Sequence, residues 1–190
     1  IVDGLFIINV GTSYTEDYAA IRVKRSKYFE IKNLVLEKLF FGIYLEKAAF
    51  GKVFHNKVIG DAVTEHNSGN AIQLWYSKNI IIENNNVQHV RDGIYLEFSD
   101  NCIIKNNVST NNLRYGLHFM FSDNDNYFNS CTYWQRTLFV FTAKKQIVYY
   151  VYLVRIYPEL NLTQTLGLRQ SAVWLCACFK FITRANYFTV

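Results

Sequence analysis

Apolar residues in the first two-thirds of the chain fall in short alternating runs, and these runs recur about every 22 residues. The phrase Gly42-Ile43-Tyr44-Leu45 returns as Ala71-Ile72-Gln73-Leu74, Gly93-Ile94-Tyr95-Leu96 and Gly116-Leu117-His118-Phe119, with a fainter copy at Ala20-Ile21-Arg22-Val23. Alternation from Gly93 onward predicts a strand with Ile94, Leu96 and Phe98 facing inward and Tyr95 and Glu97 facing outward. A second apolar run follows each phrase, as in Ile80–Val87 and Cys102–Val108. An asparagine stands 13 or 14 residues after each opening, at Asn56, Asn85, Asn106 and Asn129, with Asn33 serving the faint copy.

Units of this length bury their apolar side only against their neighbours, which is the logic of a solenoid. No helical period accompanies them, and the spaced-leucine frame of a leucine-rich repeat is absent. The pattern therefore predicts an all-β chain. Residues 1–130 should form a right-handed parallel β-helix of about five rungs, each of 22–29 residues. Ile43, Leu45, Ile72, Leu74, Ile94, Leu96, Leu117 and Phe119 should line its interior. Gly42, Gly93 and Gly116 are expected where the backbone turns sharply. An inward asparagine at a corner can satisfy the turn and stack on its counterpart ~4.8 Å away as an amide ladder.

One unit is longer, with 29 residues from Gly42 to Ala71, and its surplus lies at residues 59–69. Solenoids carry such insertions as loops on one face, frequently the binding face. At the other extreme, Phe6-Ile7-Ile8-Asn9 reads as the closing half of a rung, so the chain is expected to begin inside a longer protein.

The repeat stops after Ser130. Residues 131–190 contain one glycine and one acidic residue among dense aromatic and β-branched clusters. This segment reads either as a cap closing the last rung or as the product of a shifted reading frame.

Charge changes the picture by its distribution. The net charge is +5, yet residues 131–190 hold seven Lys/Arg and one acid, leaving residues 1–130 with 13 bases against 14 acids. The repeat region is not a polyanion-binding surface, and no nucleic-acid partner is expected. The four cysteines form no disulfide framework. Cys102 occupies the slot of Ile80 and reads as a buried apolar thiol, while Cys176 and Cys178 suit neither a redox pair nor a zinc knuckle. The most apolar stretch, Gln146–Tyr157, is short and contains Arg155, so no membrane span is expected.

Stacking the rungs sets two outward columns side by side. One holds Arg22, Tyr44, Gln73, Tyr95 and His118; the other holds Lys24, Glu46, Trp75, Glu97 and Met120. Lys24 beside Glu46 reads as a cross-rung ion pair. His118 and Met120 share a face on one strand, and imidazole with thioether suits soft Cu(I) better than zinc or magnesium. They are the candidate metal ligands, with Tyr95, Glu97, Trp75 and Tyr44 as candidate binding residues around them. His55, His66 and His89 have no mutual spacing that would make a site. The same columns admit a second chemistry. Tyr44, Trp75 and Tyr95 offer ring faces for a sugar, and Glu46 and Glu97 stand two rungs apart, roughly 9–10 Å. That is marginal for the carboxylate pair of an inverting glycosidase and too wide for a retaining one. A polysaccharide lyase, epimerase or hydrolase is thus the alternative.

The phrases Gly69–Asn79, Arg91–Phe98 and especially Asn112–Asp123, with Arg114-Tyr115-Gly116-Leu117-His118-Phe119-Met120-Phe121-Ser122, together resemble the NosD family of periplasmic β-helix proteins in nitrous-oxide-reductase maturation. The resemblance covers about residues 1–130. It implies a periplasmic, non-enzymatic accessory protein that handles copper. The partners it implies are the ATPase and membrane subunits of an ABC transporter, and the reductase or a copper chaperone.

Overall fold

The computed structural model describes residues 1–11, 16–128, 130–133, 137–142 and 180–181, and every element among them is a strand. Each turn of the chain contributes three strands, one to each of three sheets. One turn consists of β12 (Asp92–Glu97), β13 (Ile103–Lys105) and β14 (Val108–Thr110). β12 pairs in parallel with β9 (Ile72–Trp75) on one side and β15 (Tyr115–Met120) on the other. The same sheet continues through β6 (Phe41–Glu46) to β3 (Ala19–Lys24), and ends at its other edge in β18 (Thr137–Thr142). β13 and β14 sit likewise in parallel ladders, between β10 (Ile81–Glu83) and β16 (Asn126–Phe128), and between β11 (Asn86–Gln88) and β17 (Cys131–Tyr133). The chain is a right-handed parallel β-helix.

Register follows the repeat. Ile21, Ile43, Ile72, Ile94 and Leu117 stack in one interior column, and Val23, Leu45, Leu74, Leu96 and Phe119 in the next. All eight residues expected to line the interior are buried, none more than 5% exposed. Removing such side chains from water is the main favourable contribution to the coil.

Four features depart from the sequence reading. The first concerns the asparagines. The inward residue stands fourteen places after each opening, giving Asn56, Asn85, Asn107 and then Ser130. The Asn56 side-chain amide donates to Asn85 Oδ1 at 2.9 Å, Asn85 does the same to Asn107 Oδ1 at 2.9 Å, and the Asn107 backbone N–H donates to Ser130 Oγ at 3.0 Å. Asn106 is exposed one place earlier. It supplies the left-handed corner, at φ 55°, as do Asn33, His55 and Asn84 at 54–56°. Asparagine tolerates that conformation because its short polar side chain can bond locally. Asn129 lies outside the described residues.

The second feature is the reason for the glycines. A Cβ on Gly42 would stand 2.4 Å from the Ala71 carbonyl oxygen, and one on Gly93 would stand 2.0 Å from Ser109 Oγ. Close approach of neighbouring parts of the coil, rather than a positive φ, excludes a side chain there. Third, Phe98 does not point inward. It sits at φ 50° on the outside corner, half-buried, stacked between Tyr76 at 4.6 Å and Phe121 at 5.3 Å.

Fourth, the boundary expected at residue 130 falls inside the coil. β17 pairs in parallel with β14, and β18 with β15 from Tyr115↔Thr137 to Met120↔Thr142. Beyond residue 142, only β19 (Lys180–Phe181) belongs to the described residues, antiparallel to β16. The alternatives of cap and shifted frame concern residues outside that set.

Candidate metal centre on the outward face

The two outward columns stand as the register requires: Tyr44↔Gln73↔Tyr95↔His118 and Glu46↔Trp75↔Glu97↔Met120. Outward does not mean exposed here. Tyr44, Gln73, Tyr95 and His118 are each only 7–8% exposed. The cause is a third column, three residues earlier in each rung, that folds against them. The rings of Phe41 and Tyr44 lie 5.2 Å apart, Asn70 donates to Gln73 Oε1 at 2.7 Å, and the rings of Tyr115 and His118 lie 4.8 Å apart.

The third column brings in Asp92, which is fully buried. Arg114 grips its carboxylate with both ends of the guanidinium fork, Nε donating to Oδ1 at 3.0 Å and Nη2 to Oδ2. Its backbone N–H donates to Asn70 Oδ1 at 3.2 Å, which also accepts from Arg91 Nε at 3.3 Å. Burial alone would raise the Asp92 pKa, but the neighbouring His118 ring, the hydrogen bonds and charge of Arg114 and the charge of Arg91 outweigh it, so the carboxyl is held below its usual range. The same pairing raises Arg114 against the opposite pull of its own burial, with Glu65 of the long loop adding to the effect. That loop places Val63, Thr64, Glu65 and His66 around a shallow hollow closed by Leu113, beside the Arg114 rung.

His118 lies between these groups. Its ring meets Tyr95 edge-on at 4.5 Å, and its Nδ1 is buried with no hydrogen-bond partner. Asp92 Oδ2 stands 3.7 Å from it, beyond hydrogen-bonding distance. Two residues along the strand, Met120 Sδ accepts the Tyr95 hydroxyl at 2.9 Å. Burial and the charges of Glu97 and Asp92 raise the Tyr95 pKa, which keeps that hydroxyl a donor.

The remaining sequence candidates divide. Glu46 is buried and held by Lys24 at 3.0 Å and Arg22 at 3.6 Å, so the expected cross-rung ion pair is present. Arg22 covers the ring of Tyr44 at 4.7 Å, and Lys47 stands 5.2 Å over Trp75. Glu46 and Glu97 flank Trp75, and the ring faces of Tyr44 and Tyr95 are taken up by neighbours, which leaves little platform for a sugar. His55 and His89 are exposed at separate corners, and His66 is exposed in the long loop. Cys102 is buried as expected, and burial pushes its thiol pKa well up.

Sequence reading missed Asp92, Arg114 and Asn70. The signal for Asp92 and Asn70 was the residue before each rung opening (Phe41, Asn70, Asp92, Tyr115), which forms a column of its own, and Arg114 stands one place ahead of it.

Imidazole and thioether donors are the chemistry of soft-metal ligation. Among the described residues no group of three or more His, Cys, Asp or Glu gathers in metal-binding geometry. The face sets the His118 imidazole and the Met120 thioether on one side of β15, and the chemistry of that pair suits Cu(I). The molecule is thus a β-helix solenoid with a candidate soft-metal centre on one outward face.

Residues 54–148 match the family described as periplasmic copper-binding protein (NosD), and the chain belongs to that family. It is accordingly a periplasmic protein. A relative, the probable ABC transporter binding protein NosD of Pseudomonas aeruginosa, is 34% identical over 94 residues. The match takes in 48% of this chain and 22% of that protein, so the chain spans about a fifth of its relative's length. No solved structure matches the chain. No helix among the described residues is long and apolar enough to cross a membrane.

Proposed function

We propose that this chain is the copper-handling part of a periplasmic accessory protein for nitrous-oxide-reductase maturation. In this reading it works beside the ATPase and membrane subunits of an ABC transporter. His118 and Met120 hold Cu(I) for transfer, with Tyr95, Glu97, Trp75 and Tyr44 forming the surrounding face. The observation that carries the reading is the pair itself: an imidazole and a thioether two residues apart on one face of β15, the imidazole only 8% exposed. Support comes from the family's description as copper-binding and from the relative's name as an ABC transporter binding protein. Two donors leave coordination positions open. That suits a relay, since the reductase or a copper chaperone can complete the shell and then take the ion.

The test is a competitive Cu(I) titration of the wild type against the His118→Ala/Met120→Ala double variant, followed by assembly of the reductase copper centre in cells. The expected result is loss of Cu(I) binding and of maturation in the variant. Unchanged affinity together with full maturation would overturn the assignment.

A further inference from the structure

Asp92 is costly to bury, and nothing in the coil's backbone requires a charge there: the equivalent places hold Phe41, Asn70 and Tyr115. The guanidinium of Arg114 fixes its carboxylate from one side through both oxygens, and Asn70 anchors its backbone. The carboxylate therefore presents Oδ2 to the His118 ring as a rigid negative group. At 3.7 Å the two tautomers of a neutral imidazole are not equivalent. A lone pair on Nδ1 would face a fixed anion inside a buried pocket, whereas an N–H there faces an acceptor and needs to close by only about 0.6 Å to bond it.

We propose that Asp92, clamped by Arg114, is a positioning residue that holds the His118 proton on Nδ1 and so leaves the lone pair on Nε2 as the metal-binding donor. This is the inverse of the tautomer preferred by an imidazole in water, so it has a signature of its own. Its consequence for copper rests on the reading of His118 as a ligand, whereas the tautomer itself does not.

The experiment is nitrogen-15 NMR of the metal-free, histidine-labelled chain at a pH where the ring is neutral. His118 is assigned by comparison with the His118→Ala variant. The expected wild-type spectrum shows a protonated Nδ1 and a bare Nε2. In Asp92→Asn the balance should move toward the Nε2–H tautomer, and Cu(I) affinity should fall about 10–100-fold, the usual effect of removing an outer-shell partner. An Nε2–H tautomer in the wild type would overturn the inference without needing any variant, and so would an Nδ1–H signal unmoved in Asp92→Asn. The expected tautomers in a protein that binds no Cu(I) would support the positioning role while removing the copper reading. Cu(I) binding lost in His118→Ala, but with Nε2–H in the wild type, would do the reverse.

Discussion

The hydroxyl of Tyr95 donates to the sulfur of Met120, one rung further along, at 2.9 Å. The thioether that would bind a soft metal is thus engaged in a bond that competes with metal binding for electron density on the sulfur. A net hydrogen bond is worth roughly 1 kcal/mol, so removing this one should raise Cu(I) affinity up to about 5-fold. Tyr95→Phe keeps the ring against His118 and deletes only the donor. Competitive titration measures the change, and an affinity that falls in this variant would show the hydroxyl to be part of the binding arrangement instead.

The one-residue correction to the amide ladder separates two neighbouring asparagines. Asn107 is buried; its Oδ1 accepts from Asn85, and its Nδ2 donates to the Ile82 carbonyl at 2.9 Å. Asn107→Ala leaves several of these groups unpaired and should destabilise the coil by about 3 kcal/mol. Asn106→Ala loses only the tolerance for a left-handed φ, about 1–2 kcal/mol. Urea melts of the two variants give the comparison, and a larger loss at Asn106 would contradict the register.

Leu96 is fully buried between Leu74 and Phe119 in the interior stack. An aspartate there would place an unpaired charge in a column of apolar side chains, costing several kcal/mol. Leu96→Asp should lack the cooperative unfolding transition of the wild type, as followed by circular dichroism, whereas Leu96→Met should retain it.

Stability should pass through a maximum in mildly acidic solution. Burial raises Glu83, but Lys105 and Lys52 outweigh it, and Asp92 is likewise held low. The stabilisation from both is present above the unfolded carboxylate value of about 4 and is lost as pH falls below it. Asp125 is the opposite case. Its burial, with Asp100 and Asp123 nearby, pushes it up to about 7. The folded chain keeps that proton where the unfolded chain releases it, so this contribution is present below about 4 and is lost as pH rises through 7. Asp125→Asn keeps an acceptor for the Cys102 N–H, bonded at 2.7 Å, and should remove the decline on the alkaline side. Melts between pH 4 and 8 follow this, and an undiminished slope in the variant would refute the role of Asp125.

The sequence by itself determined the coil. Ile43, Leu45, Ile94 and Leu96 announce their column because a side-chain period of two, repeated every rung, can be satisfied in only one register. The same periodicity put His118 and Met120 on one face and Lys24 beside Glu46. Where neighbouring residues are chemically alike, the pattern gave no choice: Asn106 and Asn107 differ only in backbone conformation, and the corner geometry assigns one to the φ 55° turn and the other to the ladder. Phe98 went astray for a related reason, since alternation holds only while the backbone stays extended and that strand ends at Glu97. Tertiary structure alone decided that the outward column is buried. Three residues before each outward side chain, the chain turns into its strand, and only that turn folds Phe41, Asn70, Asp92 and Tyr115 over their neighbours. Burial then converts Asp92, Arg114 and His118 from three polar residues in a list into a fixed anion, its clamp and an imidazole nitrogen without a partner, because in low dielectric a charge acts strongly on whatever it faces.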